Sequence, residues 1–554
     1  MHPYIDKLRG LLDAGRCDRR EFLRTATLLG VSAGTAYAMA GAKDPVPAFG
    51  RRAWAAPAPT GRLRIAMRVQ DISDPHTASW VETSNQVRAV CEYLTRTGQD
   101  NITRPYLLES WVPSEDLKTW TLKLRQDVKW HDGRAFVSDD VVWNIKHCLD
   151  PATGSSVLGL MKSYMTKEVP TGETKDGKPV TKTELWDSNA IEKVDDHTVV
   201  LNLKEPQLAV PEHLFHYPFF MLDPAENGKY GLGSNGTGPF IMKEYVVGDR
   251  SAFEPNPNYW GEPAKVARLE YYDTGDDMAA AIAALASGQV DGLYEIDVSQ
   301  LQMVATIPNV TVYEAITAQT GVARGHCGIK PFDDPRVRKA LKLATDPHAI
   351  KTALLGERGG VGEHHHVAPI HPEYAKLPPM NRNIAEAKRL LAEADFPNGL
   401  DLEFTCRSHP VWEPNAVQVI VEQWKEAGVR AKINILPSSS YWDNWTNYPF
   451  SFTSWGHRPL GTMVLGLAYR TGVPWNESHY SNPEFDALLS KAEGTYDVEK
   501  RREIMAKLEE IMQEDGPVVQ TFWRPTQSAF HDRVQGMRQH PTQYIFAEQL
   551  SIKQ

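Results

Sequence analysis

The chain has 554 residues, of which 42% are hydrophobic and 23% charged, the balance of a globular protein long enough for two to four domains. Its 60 Lys and Arg stand against 70 Asp and Glu, giving a net charge of −10 and a pI near 6.0. That excludes nucleic acid as a partner, because phosphate backbones are met by basic surfaces, and no apolar run reaches the ~20 residues of a membrane span.

In chain order, the first informative stretch is Asp18-Arg19-Arg20-Glu21-Phe22-Leu23-Arg24, followed by the uncharged residues 25–41. Adjacent arginines, a Phe-Leu pair and a closing basic residue resemble a twin-arginine export signal, an address read by a translocase and not a fold element. Small residues offer cleavage after Ala38 or Ala40, with Ala53-Trp54-Ala55 as a later site. Residues 1–57 are therefore expected to lie outside the fold. No cysteine follows the apolar run where a lipid would be attached, so a free periplasmic protein is expected. Cys91, Cys148, Cys327 and Cys406 show no CxxC spacing, which argues against a four-thiolate zinc site and leaves their pairing open.

The remaining chain alternates strands and helices. Leu63, Ile65, Met67 and Val69 mark a first strand, and 85–94 reads as a helix. Trp120, Leu122 and Leu124 alternate with polar residues as a half-buried strand, extended by Val128-Lys129-Trp130. Ser138-Asp139-Asp140 caps a helix, and 198–203 is the next strand. An Ala-rich helix covers 277–287. Asp334-Pro335 opens another helix, with Asp as cap and Pro at the first helical position. Asn383 and Glu386 form a capping-box pair. Strands at 400–404 and 429–435 flank a helix at 417–427, and a long helix carrying Ile504, Leu508 and Ile511 precedes a last strand at 518–523. The order implies α/β or α+β layers.

Catalytic motifs are absent. Gly172-x-x-x-x-Gly177-Lys178 lacks the following Ser/Thr, and Pro179 removes a donor that a phosphate loop needs, so a polar turn at Asp176-Gly177 is expected. Glu212-His213-x-x-His216 has the wrong order for a zinc-protease helix. His364-His365-His366 invites a metal reading, yet neighbours on an extended chain face opposite ways, so a polar loop is the default. More telling is the aromatic density of Tyr441, Trp442, Trp445, Trp455, Trp475 and Tyr480, with His457-Arg458 among them. Such a cluster forms either a large core or the wall of a cleft.

Several blocks together resemble the extracytoplasmic solute-binding proteins of ABC importers, in the peptide/nickel-binding family (family 5). They are residues 120–142 from Trp120 through His131-Asp132-Gly133 to Val142; Gly236-Thr237-Gly238-Pro239-Phe240; Asn256-Pro257-Asn258-Tyr259-Trp260; residues 332–341 from Phe332 to Leu341; and residues 383–391, with Ala387 and Leu391. The resemblance implies a hinged α/β fold of two lobes with mixed sheets and an additional domain on lobe I. Carried over, lobe I takes 60–92, 215–315 and 515–554, the extra domain 93–214 and lobe II 316–514. It implies a non-catalytic monomer without cofactor, which captures a small or oligomeric organic solute and hands it to a membrane permease, after passage through the twin-arginine translocase. Trp455 falls just before the position where peptide-binding relatives place an aspartate for the peptide ammonium, and here that position is Arg458. The reversed sign disfavours a free peptide N-terminus in the usual register. Trp455, Trp442, Trp475, Arg407, Arg458 and His457 are the expected ligand contacts, with Gln70 and Asp71 closing from lobe I and Gln319 near the hinge. A peptide receptor of shifted register, a metal or metallophore receptor using His364, His365 and His366, and a hydrolase on the same scaffold remain as alternatives.

Overall fold

The computed structural model describes residues 2–45, 58–175 and 178–553. Among them, one 12-stranded sheet runs through two lobes. One half comprises Phe240–Val246, Arg250–Pro255, Arg268–Tyr272, Arg62–Ala66 and Gly292–Leu293, in that spatial order. The other comprises Phe450–Trp455, Leu400–Arg407 and Val429–Leu436. Two long antiparallel strands, Val310–Gly325 and Phe522–His531, lie between the halves and belong to both.

The ladder between these crossing strands is broken where they pass from lobe to lobe. Ala315 pairs with Thr526, but the next pair is Gln319 with Arg524. Three residues of one strand thus face Pro525 alone, which has no N–H to donate. Ile316, in this bulge, is 75% exposed. A stretch outside the strand ladder, shared by two packed bodies, is where rotation costs least.

Each lobe has its own core. Leu63, Ile65, Phe253, Leu269 and Phe530 pack under the first half-sheet. Phe404, Val417, Ile420, Trp424, Phe450 and Phe452 fill the second. The capped helices form as their sequences dictate: Asp277 precedes Met278–Ala286, Asp334 precedes Pro335–Leu343, and Asn383 accepts from the Glu386 N–H ahead of Ile384–Glu393. The helix expected at 85–94 lies at Val81–Val90, since it stops where Cys91 turns extended. The strand extension at Val128-Lys129-Trp130 reduces to a single bridge, Lys129 to Ala135.

A separate four-stranded sheet, in the order Leu108–Pro113, Thr119–Leu124, Thr198–Asn202 and Ile191–Asp195, carries the helices Ser138–Leu149 and Val157–Met165. It also reaches the second lobe: the Lys162 ammonium donates to the Gly472 carbonyl (3.1 Å), and the Leu208 N–H donates to the Glu493 carbonyl (2.9 Å). Gly172 lies in the hairpin Thr166–Lys175 and Lys178–Leu185, a strand pair and not a phosphate loop. The expected turn at Asp176-Gly177 falls outside the described residues.

Residues 2–45, expected outside the fold, pack onto the body as three helices: Tyr4–Asp13, Arg19–Leu28 and Ala33–Met39. The signal for this lies ahead of the arginine pair. Tyr4, Ile5, Leu8 and Leu11 recur at helical spacing and are buried. Phe22 and Leu23 are buried, while Arg19 and Arg20 stay exposed. Arg24 sits 3.6 Å from the buried Glu212 carboxylate, and Glu21 pairs with Arg502. The later cleavage candidate Ala53-Trp54-Ala55 lies outside the described residues.

Candidate functional site

Both lobes turn the carboxyl ends of parallel strands toward the same gap, the edge at which open α/β sheets bind ligands. In the second lobe Leu400–Arg407 runs parallel to Val429–Leu436 and to Phe450–Trp455, so Arg407 and Trp455 are the last residues of their strands. In the first, Arg62–Ala66 runs parallel to Gly292–Leu293. Tyr294 and Glu295 follow directly, and the segment after Arg62–Ala66 leads to Ser79–Glu82. These residues, with Tyr217, Gln319, Arg524 and 541–543, line a cleft whose space, its open mouth included, is about 840 Å³.

Its aromatic wall is continuous. Trp442 lies 5.4 Å from Trp445; Trp445 lies 6.4 Å from Trp455 and 6.1 Å from Trp475; and Trp455 lies 5.9 Å from Trp475. Contacts across the gap show a closed arrangement: Trp80 of the first lobe is 5.7 Å from Trp442, and Tyr217 is 5.9 Å from Trp475. The Trp455 indole is aimed by its N–H, which donates to Glu477 (2.8 Å). The other oxygen of Glu477 accepts from Arg324 (2.9 Å) and Thr453 (2.6 Å) in a fully buried network. Truncating one partner of such a pair strands the other charge, so Glu477→Ala is expected to cost about 3–5 kcal/mol, read as a lowered melting temperature. The buried N–H of Trp442 has no partner among the described residues. It is a donor free for a ligand.

The cleft's three arginines differ in their company. Arg407 is held by Glu413 (2.8 Å from Nε) and Ser454 (2.8 Å). Arg524 donates to Glu295 (2.7 Å) and Gln319 (3.0 Å). Arg458 makes no ion pair among the described residues. It lies over Tyr217 at 5.1 Å and donates to the carbonyls of Gly456 and His457. It is 5% exposed, and its Nε has no partner. Glu82 is the opposite case: it lines the cleft, makes no ion pair among the described residues, and burial pushes its carboxyl up from the ordinary range.

Of the residues expected from sequence, Trp455, Trp442, Trp475, Arg407, Arg458, His457 and Gln319 meet in this cleft. His457 lines it with both ring nitrogens already engaged. Nδ1 accepts from the Ala318 N–H (3.0 Å), so the proton sits on Nε2, which donates to Asn101 (3.0 Å). Gln70 and Asp71 do not line the cleft. Gln70 is tied to Thr83 and Tyr245, and Asp71 is exposed. The chain instead enters the cleft ten residues later, at Trp80 and Glu82. Those two, with Tyr217, Trp412 and Arg524, were not singled out in the sequence, because each stands alone there, far from the 441–480 aromatic cluster.

His364, His365 and His366 are buried but point apart. His364 Nδ1 accepts from the Gln520 N–H (3.1 Å), His366 Nδ1 meets the Tyr469 hydroxyl (2.5 Å), and His365 faces Glu363 and Glu509 at 3.5 and 3.6 Å. Positive φ at His364 and His366 splays them further. The five cysteines are free.

Two lobes joined by crossing strands and closing on an indole-lined gap are the architecture of a solute-binding receptor. Residues 103–477 match the model described as bacterial extracellular solute-binding proteins, family 5 Middle, and the chain belongs to that family. The periplasmic oligopeptide-binding protein OppA of Haemophilus influenzae is 25% identical over 477 residues, 81% of this chain and 85% of that protein. Heme-binding protein A of the same organism is 25% identical, covering 79% and 82%. Among solved structures, the binding protein AgaA in complex with agropinic acid, from A. tumefaciens, superposes with a TM-score of 0.78 at 21% identity, over 89% of this chain and 99% of that one. DppA from Helicobacter pylori in complex with a peptide gives a TM-score of 0.75 at 20% identity, over 89% and 98%. The protein is thus a solute-binding receptor of an ABC importer, which captures its solute between two lobes and delivers it to the permease.

Proposed function

We propose that the solute is an organic acid, stacked between the indoles with its carboxylate on Arg458. The carrying observation is that Arg458 is desolvated without a counter-charge, whereas Arg407 and Arg524 each hold a carboxylate already. A buried cation is stabilised by an incoming anion, and only the closed form offers both walls to the ligand, so binding shifts the lobes toward closure. The likeness to a structure holding agropinic acid supports this class. Mass spectrometry of the solute released from purified protein tests it: a carboxylated compound is expected, and a neutral or purely cationic one overturns it.

A peptide in a different register is the second reading, favoured by Glu82, whose unpaired carboxyl lines the same cleft and suits an ammonium. Calorimetry with free and N-acetylated di- to pentapeptides separates the two. Preference for the free amine, lost in Glu82→Gln, selects the peptide.

Export through the twin-arginine translocase to the periplasm is part of the same proposal, supported by the 18–24 motif and by periplasmic relatives. In the folded chain Glu21, Phe22, Leu23 and Arg24 are buried, so the translocase must meet this segment undocked. Replacing both Arg19 and Arg20 by lysine, at exposed positions, is expected to retain the protein in the cytoplasm with an unchanged melting temperature. Periplasmic protein at normal yield from that variant counts against the route.

A further inference from the structure

Apart from the cleft, one cluster of side chains among the described residues has the composition and second-layer support of a metal centre. We propose that Asp74, His76 and His147 bind a divalent transition-metal ion of the zinc class, at the seam between the first lobe and the four-stranded domain. One ligand atom from each of the three lies within 4.8 Å of the others. Asp74 and His76 flank Pro75 in a short turn after the first strand, and His147 comes from the helix Ser138–Leu149.

Each side chain is already oriented by the protein. The Oδ1 of Asp74 accepts from the His76 N–H (2.9 Å), which leaves Oδ2 facing His147 Nε2 at 3.2 Å. His76 is wholly buried, and its Nε2 lies 2.8 Å from the Phe220 carbonyl. A carbonyl only accepts, so Nε2 carries the proton and Nδ1 presents its lone pair. That Nδ1 has no partner among the described residues although it is buried. His147 is fixed from behind in the same way, with Nδ1 3.2 Å from the Thr153 hydroxyl. An imidazole whose far nitrogen is held by a carbonyl or hydroxyl is the usual outer layer of a metal-bound histidine. Gly228, at φ +80°, completes the cradle: a Cβ there would lie 2.7 Å from Asp74 Oδ2 and 2.9 Å from His147 Nε2, so only glycine leaves the space at these two ligand atoms clear.

Two imidazoles and one carboxylate form a mixed N/O set suited to zinc and its neighbours, with a fourth position for water. An Asp74–His147 ion pair alone would leave the buried Nδ1 of His76 unsatisfied, a cost that a metal removes. Because ligands come from both sides of the seam, the ion would also fix the segment that runs on to Trp80 and Glu82 in the cleft.

The test uses the full chain without an affinity tag, stripped with chelator and titrated with Zn(II) by calorimetry, and with Co(II) by absorption. One equivalent of Zn(II), visible ligand-field bands with Co(II), and a raised melting temperature are expected. His147→Gln and Asp74→Asn should each weaken Zn(II) binding at least about tenfold, since loss of an outer-layer partner alone costs about 10- to 100-fold. His365→Gln, outside the cluster, should leave it unchanged. Circular dichroism of each metal-free variant establishes that it is folded, and the two ligand variants give independent readings. No stoichiometric binding, or binding undiminished in both ligand variants, overturns the proposal.

Discussion

Arg458→Gln is expected to weaken binding of the natural solute about 10- to 100-fold, while leaving the melting temperature of the empty protein nearly unchanged. The magnitude is that of a hydrogen bond to a charged group, about 1.5–3 kcal/mol. The stability is spared because Arg458 holds no carboxylate of the protein; it meets the carbonyls of Gly456 and His457 and the face of Tyr217. Arg407→Gln makes the contrast. It strands the buried Glu413 carboxyl, so its main effect is on stability, about 3–5 kcal/mol for a broken buried pair. Calorimetry with the released solute and thermal melting of both variants read this out. Arg458→Lys should recover only part of the affinity, because an ammonium lacks the planar fork that grips a carboxylate. Should Arg458→Gln bind the solute as tightly as the parent, the carboxylate is held elsewhere and the proposed ligand pose is wrong.

The residues on which this rests were largely readable from the chain. Trp442, Trp455, Trp475 and Arg458 stood out because one lobe supplies them from a short span of sequence and because the sign at 458 departs from the peptide-binding pattern, whereas Arg407 came from the family resemblance alone. The first-lobe wall was legible only as a closure at Gln70 and Asp71. Its real members, Trp80, Glu82 and Tyr217, are brought to the gap by where strands end, which one-dimensional patterning does not reveal. The helices capped by Asp277, Asp334 and Asn383 were readable because their signals are local. The crossing strand Val310–Gly325 was not. Its alternation is interrupted at 316–318, where it leaves one lobe for the other, and a bulge reads as a loop. The metal candidate was invisible for a similar reason: Asp74 and His76 lie two residues apart, but His147 reaches them only through the packing of a helix from another domain. The histidine run at 364–366 had the stronger sequence signal and the weaker geometry.

The largest expected pH effect comes from the same part of the molecule. Glu509 is fully buried on the helix Val498–Glu514. Its carboxyl accepts from the Ala375 N–H (3.1 and 3.2 Å) and faces His365 Nε2 at 3.6 Å. Burial, reinforced by the nearby carboxylates Glu363 and Glu373, pushes it up to about 9. Glu212 and Glu21, buried where the N-terminal helices dock, are pushed up by burial to about 8 and about 7. With its ordinary value near 4.5 in the unfolded chain, Glu509 holds a proton in the folded state that the unfolded state has released, throughout the window from about pH 4.5 to about 9. Stability therefore falls as pH rises through that window and is level above it. At about 1.4 kcal/mol per pH unit the ceiling is roughly 6 kcal/mol. Water entry and rearrangement on ionisation bring the expected figure nearer to about 2 kcal/mol. Glu509→Gln keeps the volume and removes the titration. Its melting temperature should exceed the parent's at pH 8.5 and approach it at pH 5, so the two curves diverge upward in pH. Parallel curves across that range would mean that Glu509 is already ionised in the fold at pH 5.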